Sequence, residues 1–401
     1  MASEFSIFQE ASLLTVFFKL VKESEDMNNK NNIKVLAYYL PQFYPTKEND
    51  QWWGKGFTEW TNVGKAEKLW KKHYQPKVPA DLGYYDLRLP SVREQQAELA
   101  REAGVSGFLY WHYWFGNGRR LLSEVFQEVL DSGKPDFPFA LAWANHPWYK
   151  KSWTSNTNSD ELLLAQTYPG IDDAREHFEF LLKAFKDPRY IKIDGKPFLL
   201  IFHPKKLPDL YIRQFRKWTV EARFKGLYLV ANVIDPNETL QDYQNRGYEA
   251  VTYNNICNYQ MHFFSEMNPL HRIVVRIYRI IKEKLTGMPH LATDYGKHCK
   301  EFISEKDKEE DVIPEIFPNW DHSPRSGRKC GPIFYNCEPK YFYEHVKTAV
   351  EAVKSKPFEK RILILKSWNE WGEGNYMEPD LKYGHGYIDA LRRALDSSGD
   401  D

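Results

Sequence analysis

Residues 362–379, ILILKSWNEWGEGNYMEP, lie near the carboxyl end of the chain and decide how the rest of the sequence is interpreted. The stretch opens with four apolar residues, 362–365, which is typical of a strand buried on both faces of a parallel sheet. It then changes to tryptophans, glycines and acids, among them Glu370 and Glu373. Because burying an unpaired carboxylate is costly, acids beside a hydrophobic strand usually have a partner, a path to solvent or a substrate. The functional interpretation therefore begins at this strand end.

Seven earlier segments are also short and apolar, and each is followed by polar or aromatic residues and then by a helical pattern. Alternation of strands with helices is typical of βαβ units and a parallel sheet. Eight such units predict an α/β fold of the (β/α)8 TIM barrel type. The eight predicted strands are residues 35–40, 107–115, 139–145, 197–203, 228–234, 250–255, 312–318 and 362–368.

The domain organisation follows from the same pattern. A length of 401 residues alone allows two or three domains. No low-complexity linker and no repeat of about 20 to 50 residues divides the chain, so we expect a single barrel domain over residues 33–401. Residues 1–32 do not fit the strand and helix pattern. We expect them to form an N-terminal extension that is either disordered or vector-derived.

Two connections, after strands 1 and 6, are too long to be simple. The first, residues 41–90, is rich in aromatic residues, and in a barrel the segments after strand ends wall the active site. The second, residues 256–311, contains HRIVVRIYRIIKEKL at 271–285, with arginines at helical spacing among Ile and Val. This segment is either a helix for a membrane surface or partner, or a helix that covers the barrel. We favour the second interpretation.

Composition excludes several classes of protein. The 55 basic and 55 acidic side chains balance, so no global field indicates nucleic acid as a partner. No segment reaches transmembrane length, and no convincing signal peptide is present, so we expect a cytoplasmic protein. The four cysteines form no CxxC pair, and we favour free thiols over a disulfide or zinc site. The histidines form no HxH or HExxH pair, so we predict no metal and no cofactor.

Aromatic residues make up 16% of the chain. Indole and phenol faces pack against sugar rings, but they also fill ordinary cores, and composition alone leaves both interpretations open. A barrel brings together the residues that follow the carboxyl ends of its strands. Stacking surfaces and hydrogen-bonding groups at those ends indicate an oligosaccharide or polysaccharide as the partner. The predicted substrate-binding residues are Tyr38, Tyr39, Gln42, Glu59, Trp60, Trp111, His112, Trp143, Asn145, Trp148, Tyr253, Trp320, Asp321, Arg325, Asn369 and Trp371.

Some of these residues have a purely structural alternative. Asp321 and Arg325 either bind substrate hydroxyls or pair with each other. Glu59 either reaches the pocket or caps its loop. His203, which precedes Pro204, is interpreted as an ordinary strand-end histidine.

Glu370 and Glu373 are the predicted catalytic residues. Their spacing of three can place both on one side of a helical turn, with Cβ atoms about 5 to 6 Å apart. Two carboxylates that close repel, so the pKa of one rises and it can act as an acid while the other stays ionised. A separation of about 5 Å fits glycoside hydrolysis with retention of configuration, whereas inversion needs about 6.5 to 9.5 Å. From spacing alone, a surface turn whose acids cap a helix remains the alternative.

Seven segments occur in one order: AYYLPQFYP, GFTEWTNV, HYQPKVPADLGYYDL, GFLYWHYWF, LAWANHPW, NWDHSPR and SWNEWGEGNYMEP. Over residues 33–395 the chain resembles the glycoside hydrolase family 99-like proteins of the WbsX type. Relatives of this type are commonly encountered in polysaccharide and O-antigen biosynthesis loci and are often labelled glycosyltransferases.

The resemblance also implies a mechanism. The related family 99 enzymes are retaining, endo-acting α-mannosidases with a barrel fold and an NEWxEG-like motif, which matches residues 369–374. By resemblance, Glu370 deprotonates the 2-hydroxyl of the sugar to give a 1,2-anhydro intermediate, and Glu373 is the general acid/base. That scheme requires no metal. The segment AYYLPQFYP departs from the mannosidases, so the resemblance does not set the sugar.

Three hypotheses follow for the function. The first is a retaining glycoside hydrolase that acts through two glutamates on an α-linked glycan, of mannose type or another sugar, in bacterial surface polysaccharide metabolism. The second is a glycosyltransferase of O-antigen or lipopolysaccharide biosynthesis, although the chain has no Asp-x-Asp motif and no GxGxxG fingerprint. The third is a barrel that binds glycans without turnover.

Overall fold

The computed structural model describes residues 33–150, 161–256, 268–329 and 331–397, so the predicted extension at 1–32 lies outside the described residues. Within the described chain, eight parallel strands form the central sheet, and each coincides with one predicted segment. The prediction of a (β/α)8 barrel is confirmed. The strands are β1 (Lys34–Tyr39), β2 (Gly107–His112), β3 (Phe139–Trp143), β4 (Lys196–Ile201), β5 (Tyr228–Val233), β6 (Ala250–Tyr253), β7 (Glu315–Ile316) and β8 (Ile362–Leu365).

The strands pair in the order β7-β8-β1-β2-β3-β4-β5-β6. β8 and β1 are in register with Val35 opposite Leu363. The barrel closes between β6 and the residues just before β7, where Val251 bridges Val312 in parallel and the carbonyl oxygen of Val251 accepts from the backbone N–H of Ile313 at 2.7 Å. All the strands therefore point the same way and end on one face of the barrel.

A helix follows each strand in the chain. The strands are buried, as expected for strands covered on both faces: every residue of β2, β3, β5, β6 and β8 is buried. The helices are α1 (Pro90–Glu102), α2 (Glu124–Ser132), α3 (Ile171–Lys186), α4 (Asp209–Glu221), α5 (Leu240–Gln244), α6 (Pro269–Thr286), α7 (Pro339–Val353) and α8 (Gly386–Asp396).

The long connection after β1 is ordered by two short helices, Lys47–Trp53 and Glu59–Gly64, and the connection after β7 contains the helix Ser323–Ser326. Short strands form additional pairs in the connections of the barrel. They are Trp148–Lys150 with Glu161–Leu164, Lys192–Ile193 with β4, Ala292–Asp294 with Ile333–Tyr335, and Asn369–Glu370 with Asn375–Tyr376. The helix Tyr295–His298 lies in the connection between β6 and β7.

Helix α6 departs from expectation. Residues 271–285 were predicted to cover the barrel, yet no residue of α6 is buried. The apolar side chains of Leu270 and Leu285 are 78% and 80% exposed. The favoured interpretation of this segment is therefore wrong. None of the helices in the described residues is long and apolar enough to cross a membrane.

The aromatic residues serve the core as well as the cavity described below. Trp143, Trp368 and Trp371 are among the largest side chains that are fully buried. Cys299 and Cys337 are free thiols and are buried, as favoured from the sequence, whereas Cys257 and Cys330 lie outside the described residues.

Candidate active site

A cavity of about 740 Å³ opens at the carboxyl ends of the barrel strands. Each of the eight strands, or the connection that follows it, supplies at least one residue to the wall. Within the described chain, the Lys, Arg and Glu side chains of the wall all come from the segments after β1, β7 and β8. These side chains are Glu59, Arg325, Lys366, Glu370 and Glu373.

Glu370 and Glu373 converge on one guanidinium nitrogen. Glu370 ends the short strand Asn369–Glu370, and Glu373 ends the 3-10 turn Trp371–Glu373. Nη1 of Arg325 donates to Oε1 of Glu373 at 2.5 Å and lies 3.4 Å from Oε1 of Glu370. The two carboxyl groups therefore lie side by side, as their spacing in the sequence indicated.

Glu59 completes a cluster of three carboxyl groups around Arg325. Nε of Arg325 donates to Oε2 of Glu59 at 3.0 Å, and Nε2 of Gln42 donates to Oε1 of Glu59 at 2.7 Å. Glu59 is the first residue of its helix, and the preceding Thr58 forms a capping box with Thr61. The Glu59 side chain is thus held from two directions and reaches the cavity instead of capping its loop.

The cluster gives Glu370 and Glu373 different pKa values. Burial, and then the charge of Glu373, raises the pKa of Glu370 to about 8. Burial also acts to raise the pKa of Glu373, but Arg325 and His322 outweigh it and lower this pKa to about 2. At neutral pH, one proton therefore resides on Glu370 while Glu373 is ionised. A neutral and an ionised carboxyl group side by side can act as acid and base.

Hydrogen bonds to β1 fix the end of β8. The side chain of Asn369 accepts from the backbone N–H of Leu40 at 2.7 Å and donates to the Leu40 carbonyl at 3.1 Å. The backbone N–H of Trp368 donates to the carbonyl of Tyr38 at 2.7 Å. Because these bonds hold the chain immediately before Glu370, the predicted residue Asn369 positions the acid and does not line the cavity.

Asp321 holds the turn that contains Glu373 by hydrogen bonds. Its carboxylate lies 2.8 Å from Nε2 of His73 and accepts from Nε2 of Gln75 at 2.6 Å. Its backbone N–H donates to the carbonyl of Glu373 at 2.7 Å. The alternative in which Asp321 pairs with Arg325 is wrong, because Arg325 is bound by glutamates, and Asp321 does not line the cavity.

Aromatic side chains also line the cavity. Trp111 stacks on Tyr38, with ring centroids 4.5 Å apart and planes within 6°. Trp148 meets the ring of Tyr113 edge-on at 5.2 Å. A sugar ring needs both an apolar face to pack on and hydrogen-bonding groups at its edge, and this cavity offers both.

The structure brings fewer than half of the predicted site residues to the cavity wall. Eight of the eighteen line it, from the segments after strands β1, β2, β3, β7 and β8. They are Gln42, Glu59, Trp111, Trp148, Trp320, Arg325, Glu370 and Glu373.

The other predicted residues lie outside the cavity wall, mostly because a strand alternates its side chains between two faces. His112 contacts His177 at 2.9 Å between the Nε2 atoms, and Trp143 packs against the same histidine. Tyr39 donates to Gln96 of α1. The expectation of direct substrate contact is not supported by these positions. The remaining residues that do not line the cavity are Tyr38, Trp60, Asn145, Tyr253 and Trp371.

Each of those five has a structural partner. Tyr38 backs Trp111, and Trp60 donates from Nε1 to the carbonyl of Tyr85. Asn145 donates to Tyr168 and to the His203 carbonyl, and Tyr253 donates to the carbonyl of Glu238. Trp371 stacks on Tyr376 at 3.7 Å and donates to Glu378 at 2.6 Å.

Several residues that line the cavity were missed or interpreted otherwise. His203 was read as an ordinary strand-end histidine, yet it lies in the wall, where burial lowers its pKa to about 4. Tyr113 follows the end of β2 and lies in the wall, although it was not among the predicted substrate-binding residues. The other Asn, His and Lys side chains of the wall that were not among the predicted substrate-binding residues are Asn49, Asn62, His146, Asn254, His322 and Lys366.

No group of three or more His, Cys, Asp or Glu side chains within the described ranges could hold a metal ion. The carboxyl groups of the cavity instead face Arg325.

Gly372 lies where no side chain fits. A Cβ added there would overlap Oε2 of Glu59 and lie 2.9 Å from Nε of Arg325. We expect Gly372→Ala to force this ion pair apart and to lower kcat/KM by about a hundredfold, since small displacements of catalytic groups are costly.

The matched control is Gly64→Ala, in the same region, where a Cβ meets nothing within 4 Å. Steady-state kinetics on both variants, with melting temperatures, separate the two effects. Equal activity of the two variants would show that the Glu59–Arg325 contact has no part in turnover.

Comparisons with known proteins were made on sequence and on structure. The sequence model of the family described as "Glycosyltransferase WbsX" matches residues 35–391. The chain is 30% identical over 367 residues to "Uncharacterized protein WxcX" of Xanthomonas campestris pv. campestris, in strain ATCC 33913 and in strain B100. The match covers 91% of this chain and 50% of each relative. The chain therefore spans about half the length of the curated relatives it matches.

Solved structures share the fold. A "Glycoside hydrolase-like protein" superposes with a TM-score of 0.56 at 17% identity, covering 90% of this chain and 94% of the other. The GH99 endo-alpha-mannosidase from Bacteroides thetaiotaomicron superposes with a TM-score of 0.55 at 13% identity, covering 91% of this chain and 96% of the other. At these identities the likeness concerns the fold alone.

Proposed function

The chain belongs to the WbsX glycosyltransferase family, and we propose that it is a retaining glycoside hydrolase that cleaves an α-linked glycan with Glu370 and Glu373. The observation that carries the proposal is the convergence of these two carboxyl groups on Arg325 inside a cavity with aromatic walls. The barrel shared with a GH99 endo-alpha-mannosidase supports it. The resemblance to proteins of polysaccharide loci favours a bacterial surface polysaccharide as the substrate class.

The separation of the acids supports retention of configuration. Two oxygens bound to one nitrogen at 2.5 and 3.4 Å cannot be more than about 6 Å apart. Inverting enzymes need about 6.5 to 9.5 Å, because an attacking water must fit between the carboxyl groups and the sugar. This short distance favours a two-step route with retention over inversion.

The roles implied by resemblance require a proton shift. In those roles Glu370 takes a proton from the 2-hydroxyl and Glu373 gives one to the leaving oxygen. The free site has the opposite distribution, with Glu370 neutral and Glu373 ionised. The proton must therefore pass from Glu370 to Glu373 when substrate binds. Glu370 and Glu373 titrate as a coupled pair. The pair therefore holds one proton over the same pH range, whether that proton is on Glu370 or on Glu373.

The pH dependence of activity follows from this shared proton. We expect kcat/KM to fall above about pH 8, where the raised pKa of Glu370 marks loss of the last proton from the pair. On the acid side the pair keeps its charge down to about pH 2, so activity there ends only when the protein unfolds. Initial rates across pH, with circular dichroism to monitor folding, check both limbs. An alkaline limb absent up to pH 10, or an acid limb in the folded protein near pH 5, would contradict this assignment of the proton.

Glycosyl transfer from a sugar nucleotide is the second candidate, because the description of the family names that activity. A nucleotide diphosphate needs cationic or backbone N–H partners. Among the described residues, the Lys and Arg of the cavity wall are Arg325 and Lys366, and both face carboxylates, the latter with Glu315 at 4.0 Å. This arrangement disfavours a diphosphate in the cavity.

The discriminating experiment combines turnover with binding. The purified protein is incubated with a library of α-linked oligosaccharides, and the first-formed product is followed by NMR. Hydrolysis with retained anomeric configuration supports the proposal. Binding of a sugar nucleotide by calorimetry, with transfer and no hydrolysis, would establish the transferase instead. Glycan binding without any product would establish a lectin-like barrel.

A further inference from the structure

Helix α6 turns an apolar face to solvent. Eight of its large hydrophobic side chains are between 43% and 80% exposed. They recur at positions three or four apart, which places them along one face of the helix. They are Leu270, Ile273, Val274, Ile277, Tyr278, Ile280, Ile281 and Leu285.

The side of α6 that meets the rest of the protein is polar. Nη1 of Arg279 donates to the carbonyl of His290 at 3.3 Å, and the Glu283 carboxylate lies 3.0 Å from Nδ1 of the same histidine. Nζ of Lys282 lies over the ring of Tyr335, 5.8 Å from its centroid. An ordinary surface helix packs its apolar stripe on the core and faces water with its polar side. In α6 this arrangement is inverted.

The charge of α6 indicates which kind of partner its apolar face can bind. The helix carries five Lys and Arg side chains against one Glu, in a chain whose net charge is zero. Arg276 and Lys284 are exposed. A second copy of the chain would set these cations against the same cations, which is repulsive. An anionic bilayer offers an acyl region for the apolar face and phosphate groups for the flanking cations.

We propose that α6 is an interfacial helix that docks the protein on an anionic membrane surface, lying in the plane of the bilayer. Its 18 residues carry too much charge to cross the bilayer. The end of the helix is fixed to two connections that also wall the cavity. Arg328 donates to the carbonyl of Gly287 at 3.1 Å and to the carbonyl of Leu69 at 2.9 Å. Docking through α6 therefore brings the β1 and β7 connections close to the membrane.

The test is flotation of the full-length chain with vesicles. One set is pure phosphatidylcholine, and the other is equal parts phosphatidylcholine and phosphatidylglycerol. We expect binding to the anionic set that weakens with added salt, because headgroup attraction is screened. The double variant Ile277→Glu/Ile281→Glu should lose about tenfold or more in affinity. Arg276→Glu/Lys284→Glu should lose most of the preference for anionic vesicles, also about tenfold or more.

The matched control is Val220→Glu, which changes a side chain 58% exposed on α4 and should float as the unchanged protein does. Melting curves establish that each variant is folded. Absence of flotation with anionic vesicles, or equal flotation of the Ile277→Glu/Ile281→Glu variant, would overturn the proposal. Light scattering that shows a dimer broken by the same variant, without vesicle binding, would overturn it in favour of a second copy. None of these outcomes depends on the hydrolase activity.

Discussion

Glu373→Gln is expected to lower kcat on an α-linked glycan by about a thousandfold or more, while glycan affinity changes by less than about tenfold. The amide has nearly the shape of the carboxyl group, so the aromatic walls and the neighbouring hydrogen-bonding groups remain to bind the sugar. It cannot give or take the proton that the leaving oxygen needs. Steady-state kinetics and calorimetry with the same glycan measure the two quantities separately.

Glu370→Gln should have an effect of the same order, because the two groups act on one substrate as a unit. The double variant should then be no slower than the slower single variant. Both single variants at the unchanged rate would mean that the pair is not catalytic and that the hydrolase assignment is wrong. Melting temperatures exclude unfolding as the cause of any loss.

Arg325→Met is expected to destabilise the protein by about 3 to 5 kcal/mol near neutral pH and to abolish turnover. Arg325 is the cation bound by Glu59, Glu370 and Glu373, and burial of these carboxyl groups is costly without it. Burial opposes the charge of Arg325, yet the three acids raise its pKa above the usual value. Chemical denaturation, followed by circular dichroism, measures the loss.

The destabilisation caused by Arg325→Met should change with pH in one direction only. Arg325 holds the pKa of Glu373 well below its value in the unfolded chain, so this ion pair stabilises the fold above about pH 4 to 5 and ceases to do so as the pH falls toward 2. The difference in unfolding free energy between wild type and Arg325→Met should therefore shrink as the pH is lowered. A difference that grows toward acid pH would contradict the cluster described here.

Arg189→Met is the matched control for that experiment. Arg189 is also nearly buried and bound to a carboxylate, with Asp187 at 2.7 Å, but it does not line the cavity. This variant should be destabilised and yet keep its activity per folded molecule. The contrast separates a loss of stability from a loss of the catalytic arrangement.

The fold was predictable because its signal is local. A run such as ILIL at 362–365 is apolar at every position, which only a strand covered on both faces requires. Helices between such runs left few topologies other than a parallel barrel. The orientation of α6 was not predictable, because its amphipathic pattern shows that one face differs from the other but does not say which face meets the protein.

The site was predictable only where the chain itself fixes a side chain. The spacing of Glu370 and Glu373 placed them together, and their position after β8 placed them in the cavity. Trp111 and Trp143 both lie on buried strands, yet Trp111 faces the cavity and Trp143 faces the helices. The run GFLYWHYWF gives no register, since every position is aromatic or apolar. The contact of Glu59 with Arg325, 266 residues apart, depends on tertiary packing alone.

We expect the sugar that is cleaved to lie between the aromatic walls and the Glu370–Glu373 pair. A crystal structure of the protein soaked with a panel of monosaccharide iminosugars tests it most directly, since such cations bind beside catalytic carboxylates. The account predicts an iminosugar within hydrogen-bond distance of both glutamates, with its ring nitrogen toward them. An iminosugar bound elsewhere on the barrel, with this cavity empty of it, would contradict the account.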